Sequence, residues 1–262
     1  MPYRSLFFQI TKRTLLDRYK GSLIGLLWVV LYPLAMVLIY TFVFGEVLQA
    51  KWATADSGSS ATQLPFSISV FSGLVVFLYV AEVLSKAPTS ISSQLSYVKR
   101  VKFPLMLIAC VDVAIAYLHA VVASIVMCVI AGLSGVELAT SALLIPILLA
   151  TLVPGLVSLH WLVGAVAVYL RDVEQIITPF LTLLLFLSPV FYAMQSVNES
   201  LMGWLYLNPL THWMEAVRAL LVGDLSEFTS MQVGVYVVGS AVLVGFSRFI
   251  FGRLQRGFAD VL

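Results

Sequence analysis

Long apolar runs alternate with short polar ones along this chain, and the apolar runs have membrane-crossing length. No charged residue stands between Gly21 and Gly45. As a helix that stretch covers about 37 Å, enough to cross a bilayer with tilt. Pro33 inside it is expected to kink it. Further runs predict spans at about Pro65–Leu84, Pro104–Gly132, Ser141–Leu170, Ile176–Met194 and Met231–Ser247. A different pattern precedes them. Tyr3, Leu6, Phe7, Ile10 and either Leu16 or Tyr19 recur at helical spacing, while Arg4, Lys12, Arg13, Arg18 and Lys20 supply charge elsewhere. That is an amphipathic helix lying in the headgroup layer. Between the second and third spans lies a polar island that ends in Lys99, Arg100 and Lys102. Residues 195–230 are too apolar for a free loop and too broken for a span. Trp204, Tyr206, Trp213 and the Asn208-Pro209 break predict two short re-entrant helices there, covered by protein or a watery cavity.

Charge sets the orientation. A basic cluster beside an apolar span marks the cytoplasmic side. With the island placed inside, the inner segments hold Arg4, Lys12, Arg13, Arg18, Lys20, Lys86, Lys99, Arg100, Lys102, Arg171, Arg248, Arg253 and Arg256, leaving only Lys51 and Arg218 of the 15 Lys and Arg outside. Six spans with both termini cytoplasmic follow. Composition agrees: 61% of residues are hydrophobic and 11% charged, against about 25% charged in soluble domains. The chain is read as one all-α integral membrane domain over residues 1–262, with no nucleic-acid stripe.

The chemistry is sparse. No G-x-x-x-x-G-K-[ST], H-E-x-x-H or nucleophile elbow occurs, and His119, His160 and His212 are not at ligand spacing. No catalytic, cofactor or metal site is expected, so the chain is a conduit rather than an enzyme. Cys110 and Cys128 would lie about 27 Å apart on one helix, too far to bridge. Asp112 and His119, seven residues apart on one span, are read either as an interhelical hydrogen-bonded pair or as polar lining of a passage or a proton relay. Trp28 and Tyr32 share a face at i, i+4, as do Tyr40 and Phe44, and Tyr192 closes the fifth span. These rings are candidates for lining a glycan passage, because sugars stack their C–H faces on aromatic rings, although interfacial belts enrich the same residues. Gly21, Gly25, Ser22 and Ala35 would let span one approach a neighbour or a second copy closely.

Several short motifs then fall in order. Arg18, Tyr19, Lys20, Ser22, Gly25 and Trp28, followed by Pro33-Leu34, resemble the start of the transmembrane subunit of ABC-2-type polysaccharide exporters. So do V-K-R-V-K-F-P at Val98–Pro104, Arg171-Asp172, S-P-V-F-Y at Ser188–Tyr192, and N-P-L at Asn208–Leu210 with Arg218 behind it. The set is most similar to the O-antigen (lipopolysaccharide) type. The resemblance implies a homodimer in the bacterial inner membrane with two copies of a separate cytoplasmic ATPase, which binds the ATP and Mg. It implies coupling to that ATPase through Thr89, Ser92, Gln94, Tyr97, Lys99, Arg100 and Lys102. A lipid-linked polysaccharide would bring its phosphate head to Arg18 and Lys20, and the glycan would pass Trp28, Tyr32, Tyr40 and Tyr192. Outer re-entrant helices carrying Trp204, Asn208, Pro209 and Arg218 would narrow the exit. The alternatives are a capsule or teichoic-acid exporter of the same family, or an autonomous ion-coupled carrier using Asp112 and His119.

Overall fold

The computed structural model describes residues 3–48, 64–94, 104–224 and 230–261. Among these, regular structure is helical throughout. Helix α1 (Tyr3–Tyr19) leans on the helix that follows the basic island. Its Leu6, Phe7, Ile10 and Tyr19 are half-buried and Leu16 is exposed, so Tyr19 completes the inward face. The chain then turns at Gly21 and Gly25, whose φ values of +86° and +58° a side chain would oppose by about 1–2 kcal/mol. Within this chain nothing lies within 4 Å of where either Cβ would stand. Within this chain these glycines therefore serve the turn rather than a close approach to a neighbouring helix.

Helix α2 (Trp28–Tyr40) buries Val29, Pro33 and Val37, an i, i+4, i+8 stripe, and leaves most other positions exposed. A π-helical turn, Thr41–Val47, extends it. Helix α3 (Phe66–Lys86) is the centre of the molecule and is buried without interruption from Ser67 to Phe77. A helix apolar on every side belongs inside a bundle. Ser69, Ser72 and Gly73 keep it slim enough for neighbours to close around it. Helix α4 (Met106–Leu133) packs along α2 and α3.

The fourth apolar run is broken into α5 (Ile145–Thr151) and α6 (Val153–Tyr169). Pro154 lacks the N–H that would carry the helix across Leu152. Helix α7 (Asp172–Phe186) starts with Asp172 and Glu174 in its first turn, where the helix dipole favours acids. It is shorter than the sequence suggested. Pro189 disfavours helical backbone at Ser188, so the helix stops at Phe186 rather than reaching Met194. Its 15 residues cover about 22 Å, short of a ~30 Å hydrocarbon core. Among the described residues, five stretches are long and apolar enough to cross a membrane: Gly25–Phe44, Phe66–Ser90, Met106–Leu133, Thr140–Tyr169 and Gly234–Gly257.

Two short helices, α8 (Glu199–Leu207) and α9 (Pro209–Val222), follow α7. Asn198 caps the first through Ser200 N, and Asn208 caps the second through Leu210 N at 3.0 Å with Pro209 at its first position. Trp213 is buried edge-on against Tyr236 at 4.8 Å, whereas Trp204 is exposed. Helix α10 (Ser230–Leu254) lies along α6, with Trp161 facing Phe251 and Tyr169 Oη donating to Leu254 O at 2.7 Å. The last turn, α11 (Phe258–Val261), sets Phe258 against Phe251.

Candidate functional site

Three helices each present a stripe at helical spacing to one cavity of about 500 Å³. Helix α2 contributes Trp28, Val29, Tyr32, Pro33 and Met36. Helix α3 contributes Phe71, Val75, Leu78, Tyr79 and Glu82. Helix α4 contributes Ala116, His119, Ala120 and Ala123, and Leu181 of α7 closes a side. The size falls within the ~300–1,000 Å³ of small-ligand sites, and the walls are apolar with a few convergent polar groups, as such sites are.

Those polar groups gather where α1 meets α3. Arg18 Nη1 donates to Glu82 Oε1, His119 Nδ1 lies 2.9 Å from Glu82 Oε2, and Tyr19 Oη lies 3.0 Å from His119 Nε2. A carboxylate only accepts, so Nδ1 carries the histidine proton and Nε2 accepts from Tyr19. Burial raises the Tyr19 phenol above its ordinary range, against the pull of Arg18, so it remains a donor. The Arg18 charge is balanced by Glu82. Two donors are left over. Arg18 Nη2 and Tyr79 Oη are both buried with no hydrogen-bond partner among the described residues, and Tyr79 is only 2% exposed. A buried polar group without a partner costs about 1–3 kcal/mol.

The predicted site residues divide between several places. Arg18 points inward to Glu82, while Lys20 is exposed. Trp28 and Tyr32 both line the cavity wall, and Trp28 Nε1 donates to Ser22 Oγ at 3.1 Å. Tyr40 belongs to a separate aromatic cluster near the other end of α2, stacked on Phe44, which in turn touches Phe66 and Phe191. Tyr192 Oη donates to Phe186 O at 3.4 Å. Asp112 and His119 are not a pair. The Asp112 carboxylate faces His160 Nε2 of α6 at 3.1 Å, and His119 belongs to the Arg18 and Glu82 network.

In the island, Thr89 and Ser92 are half-buried on two 3₁₀ turns that continue α3, where Ser92 Oγ donates to Thr89 O, and Gln94 ends the second. Tyr97, Lys99, Arg100 and Lys102 lie outside the described residues.

Among the described residues Arg218 is the most enclosed cation, 6% exposed. Its Nη2 donates to Pro189 O at 2.6 Å, Nη2 and Nε both reach Ser69 O, and Nη1 reaches Glu215 Oε1 at 2.6 Å. One guanidinium therefore ties α9 to α3 and to the carbonyls left free where α7 breaks. Gly73 makes room for it, since a Cβ there would stand 3.0 Å from Nη2 and 3.2 Å from Val190 Cα.

Sequence reasoning missed Tyr79 and the His160 partner of Asp112. The signal for Tyr79 was its place one turn before Glu82, the single acid of its span. For His160 no local signal existed.

Comparison with known proteins places this arrangement. The sequence model described as ABC-2 type transporter matches residues 5–222. The O-antigen export system permease protein RfbA of Myxococcus xanthus is 26% identical over 263 residues, covering 98% of this chain and 95% of that protein. Two proteins of the same name from Klebsiella pneumoniae are each 24% identical with the same coverage.

Proposed function

The chain belongs to the ABC-2 type transporter family, and on that premise we propose that it is the permease subunit of an O-antigen exporter. It is a multi-pass membrane protein and a transport subunit, and a separate ABC ATPase hydrolyses the nucleotide. The observation that carries the substrate class is the end-to-end similarity to O-antigen export permeases.

The finer reading is as follows. The protein sits in the bacterial inner membrane with both termini cytoplasmic. Helix α7 and the segment after it make a fifth of six crossings, and α8 and α9 re-enter the outer half of the bilayer to narrow the exit. Their capped, closely joined form supports this, because Asn198 and Asn208 each satisfy a backbone N–H that the start of the helix leaves free. Two copies form the passage and two ATPase copies drive it. The ATPase docks on the island from Thr89 to Lys102, which continues the central helix α3 and so connects docking to the core. The substrate is a lipid-linked polysaccharide. Its phosphate meets Lys20 at the surface first and Arg18 behind it, and its glycan passes Trp28 and Tyr32.

Deleting the gene and restoring it tests the reading. Surface O-antigen should disappear and return, and the tagged protein should co-purify with a Walker-motif subunit. Unchanged O-antigen in the deletion strain overturns it.

A further inference from the structure

Helix α10 turns Phe251 towards Trp161 of α6 and leaves its opposite side bare. On that side Gly245, Phe249, Gly252 and Arg256 follow at i, i+4, i+7 and i+11, flanked by Arg248 and Arg253. Together they enclose a groove of about 660 Å³. Among the described residues nothing lies within 4 Å of where a Cβ on Gly245 or Gly252 would stand, so the two glycines hollow the face between the arginines. The Arg253 guanidinium lies 5.0 Å from the centre of the Phe249 ring. Among the described residues none of the three guanidiniums has an ion-pair partner. Towards the start of α10 the same stripe continues as Val242, Val238 and Val235, all exposed. From Phe249 back to Val238 it is about 16 Å long, half of a ~30 Å hydrocarbon core. The face is therefore cationic where the span ends and apolar for the depth of one leaflet. Its complement is an anionic head on an acyl chain. A second copy of this face is no complement, because two-fold pairing of identical faces would bring six guanidiniums together. Orienting the span needs only the charges and does not account for the hollow between them.

We propose that this groove binds a resident anionic phospholipid from the leaflet at the C-terminal end of α10. Arg248, Arg253 and Arg256 hold its phosphate, as basic pockets beside spans hold anionic heads. Gly245 and Gly252 give the head its depth, and one acyl chain lies along Val242, Val238 and Val235. The site goes beyond the export reading and requires only that α10 crosses the membrane.

The test is native mass spectrometry of the full chain released from detergent. The protein is titrated with dioleoyl phosphatidylglycerol or with dioleoyl phosphatidylcholine, which has the same chains and no net charge. Phosphatidylglycerol should bind at least about fivefold more tightly, the worth of one charge contact at a membrane surface, and inorganic phosphate should not displace it. Gly252→Leu fills the groove, keeps all three arginines and is the better helix former. It should weaken phosphatidylglycerol binding at least about fivefold. Replacing Arg248, Arg253 and Arg256 together by Gln should abolish the preference between the two lipids. Equal binding of both lipids to the wild type overturns the proposal. So does a Gly252→Leu protein that binds phosphatidylglycerol like wild type, since diffuse attraction needs no groove. Displacement by inorganic phosphate would mark a free-anion site, and tighter binding of dodecyl phosphate than of the two-chain lipid would mark a site for the cargo's head. A Gly252→Leu protein that loses a dimer mass and keeps its lipid would mark an interface between copies. Each of these also overturns the proposal. The export reading fails separately, through a deletion strain that keeps its O-antigen whatever lipid is bound.

Discussion

Arg218→Lys is the most informative single change outside the cavity. It keeps the buried charge and the apolar stem, so no desolvation is recovered, and removes only the planar fork. In the native protein that fork reaches Pro189 O, Ser69 O and the Glu215 carboxylate at once. An ammonium is a compact point charge and covers one or two of these. Ser69 O keeps another donor, the Ser72 hydroxyl at 2.7 Å. Pro189 O keeps none among the described residues. Each hydrogen bond to a charged group contributes about 1.5–3 kcal/mol, so the expected loss is about 2–4 kcal/mol. At roughly 2–4 °C per kcal/mol for a chain of this size, thermal unfolding should move down on the order of 10 °C. The assay is fluorescence-detected thermal unfolding of the purified protein in one fixed detergent. Gly73→Ala pushes a Cβ against the same guanidinium and the Val190 backbone, and should be destabilising alone but less than additive with Arg218→Lys, because both act on one contact. An Arg218→Lys protein that unfolds within about 2 °C of wild type refutes the reasoning and makes the fork dispensable.

Three further outcomes are expected. Glu82→Gln leaves the Arg18 charge without its carboxylate and should loosen α1, seen as tryptic cleavage at Arg18 or Lys20 at least about tenfold faster than in wild type. Asn208→Ala removes the cap of α9 and should cost about 1 kcal/mol in the same unfolding assay, whereas Asn208→Asp should cost less. Neutralising Lys99, Arg100 and Lys102 together should abolish stimulation of the partner's ATP hydrolysis while membrane insertion persists, and unchanged stimulation would remove these residues from the docking surface.

Much of the candidate site was half legible. Trp28 and Tyr32 were placed together by i, i+4 spacing alone, and the cavity wall holds both. Arg18 was singled out, but as a surface cation. That it folds inward depends on Glu82, 64 residues away, and on His119, which belongs to another helix. The pairing of Asp112 with His119 was suggested by spacing on one helix, yet a shared side does not choose a partner when α6 offers His160 within reach.

Sequence by itself determined where helices begin, break and turn, because proline, asparagine caps and glycine act through steric and hydrogen-bonding constraints within a few residues. The Asn208-Pro209 break between α8 and α9 was legible in that way, whereas hydrophobic length alone carried the expected fourth and fifth spans through Pro154 and Pro189, where the helices break. Tertiary structure alone decided which ionisable and phenolic groups meet. Arg218 finds Ser69 across 149 residues, and Tyr79 is left with an unused hydroxyl inside a closed bundle. Such outcomes depend on the rotation and depth of each helix against the others, which no short-range pattern encodes.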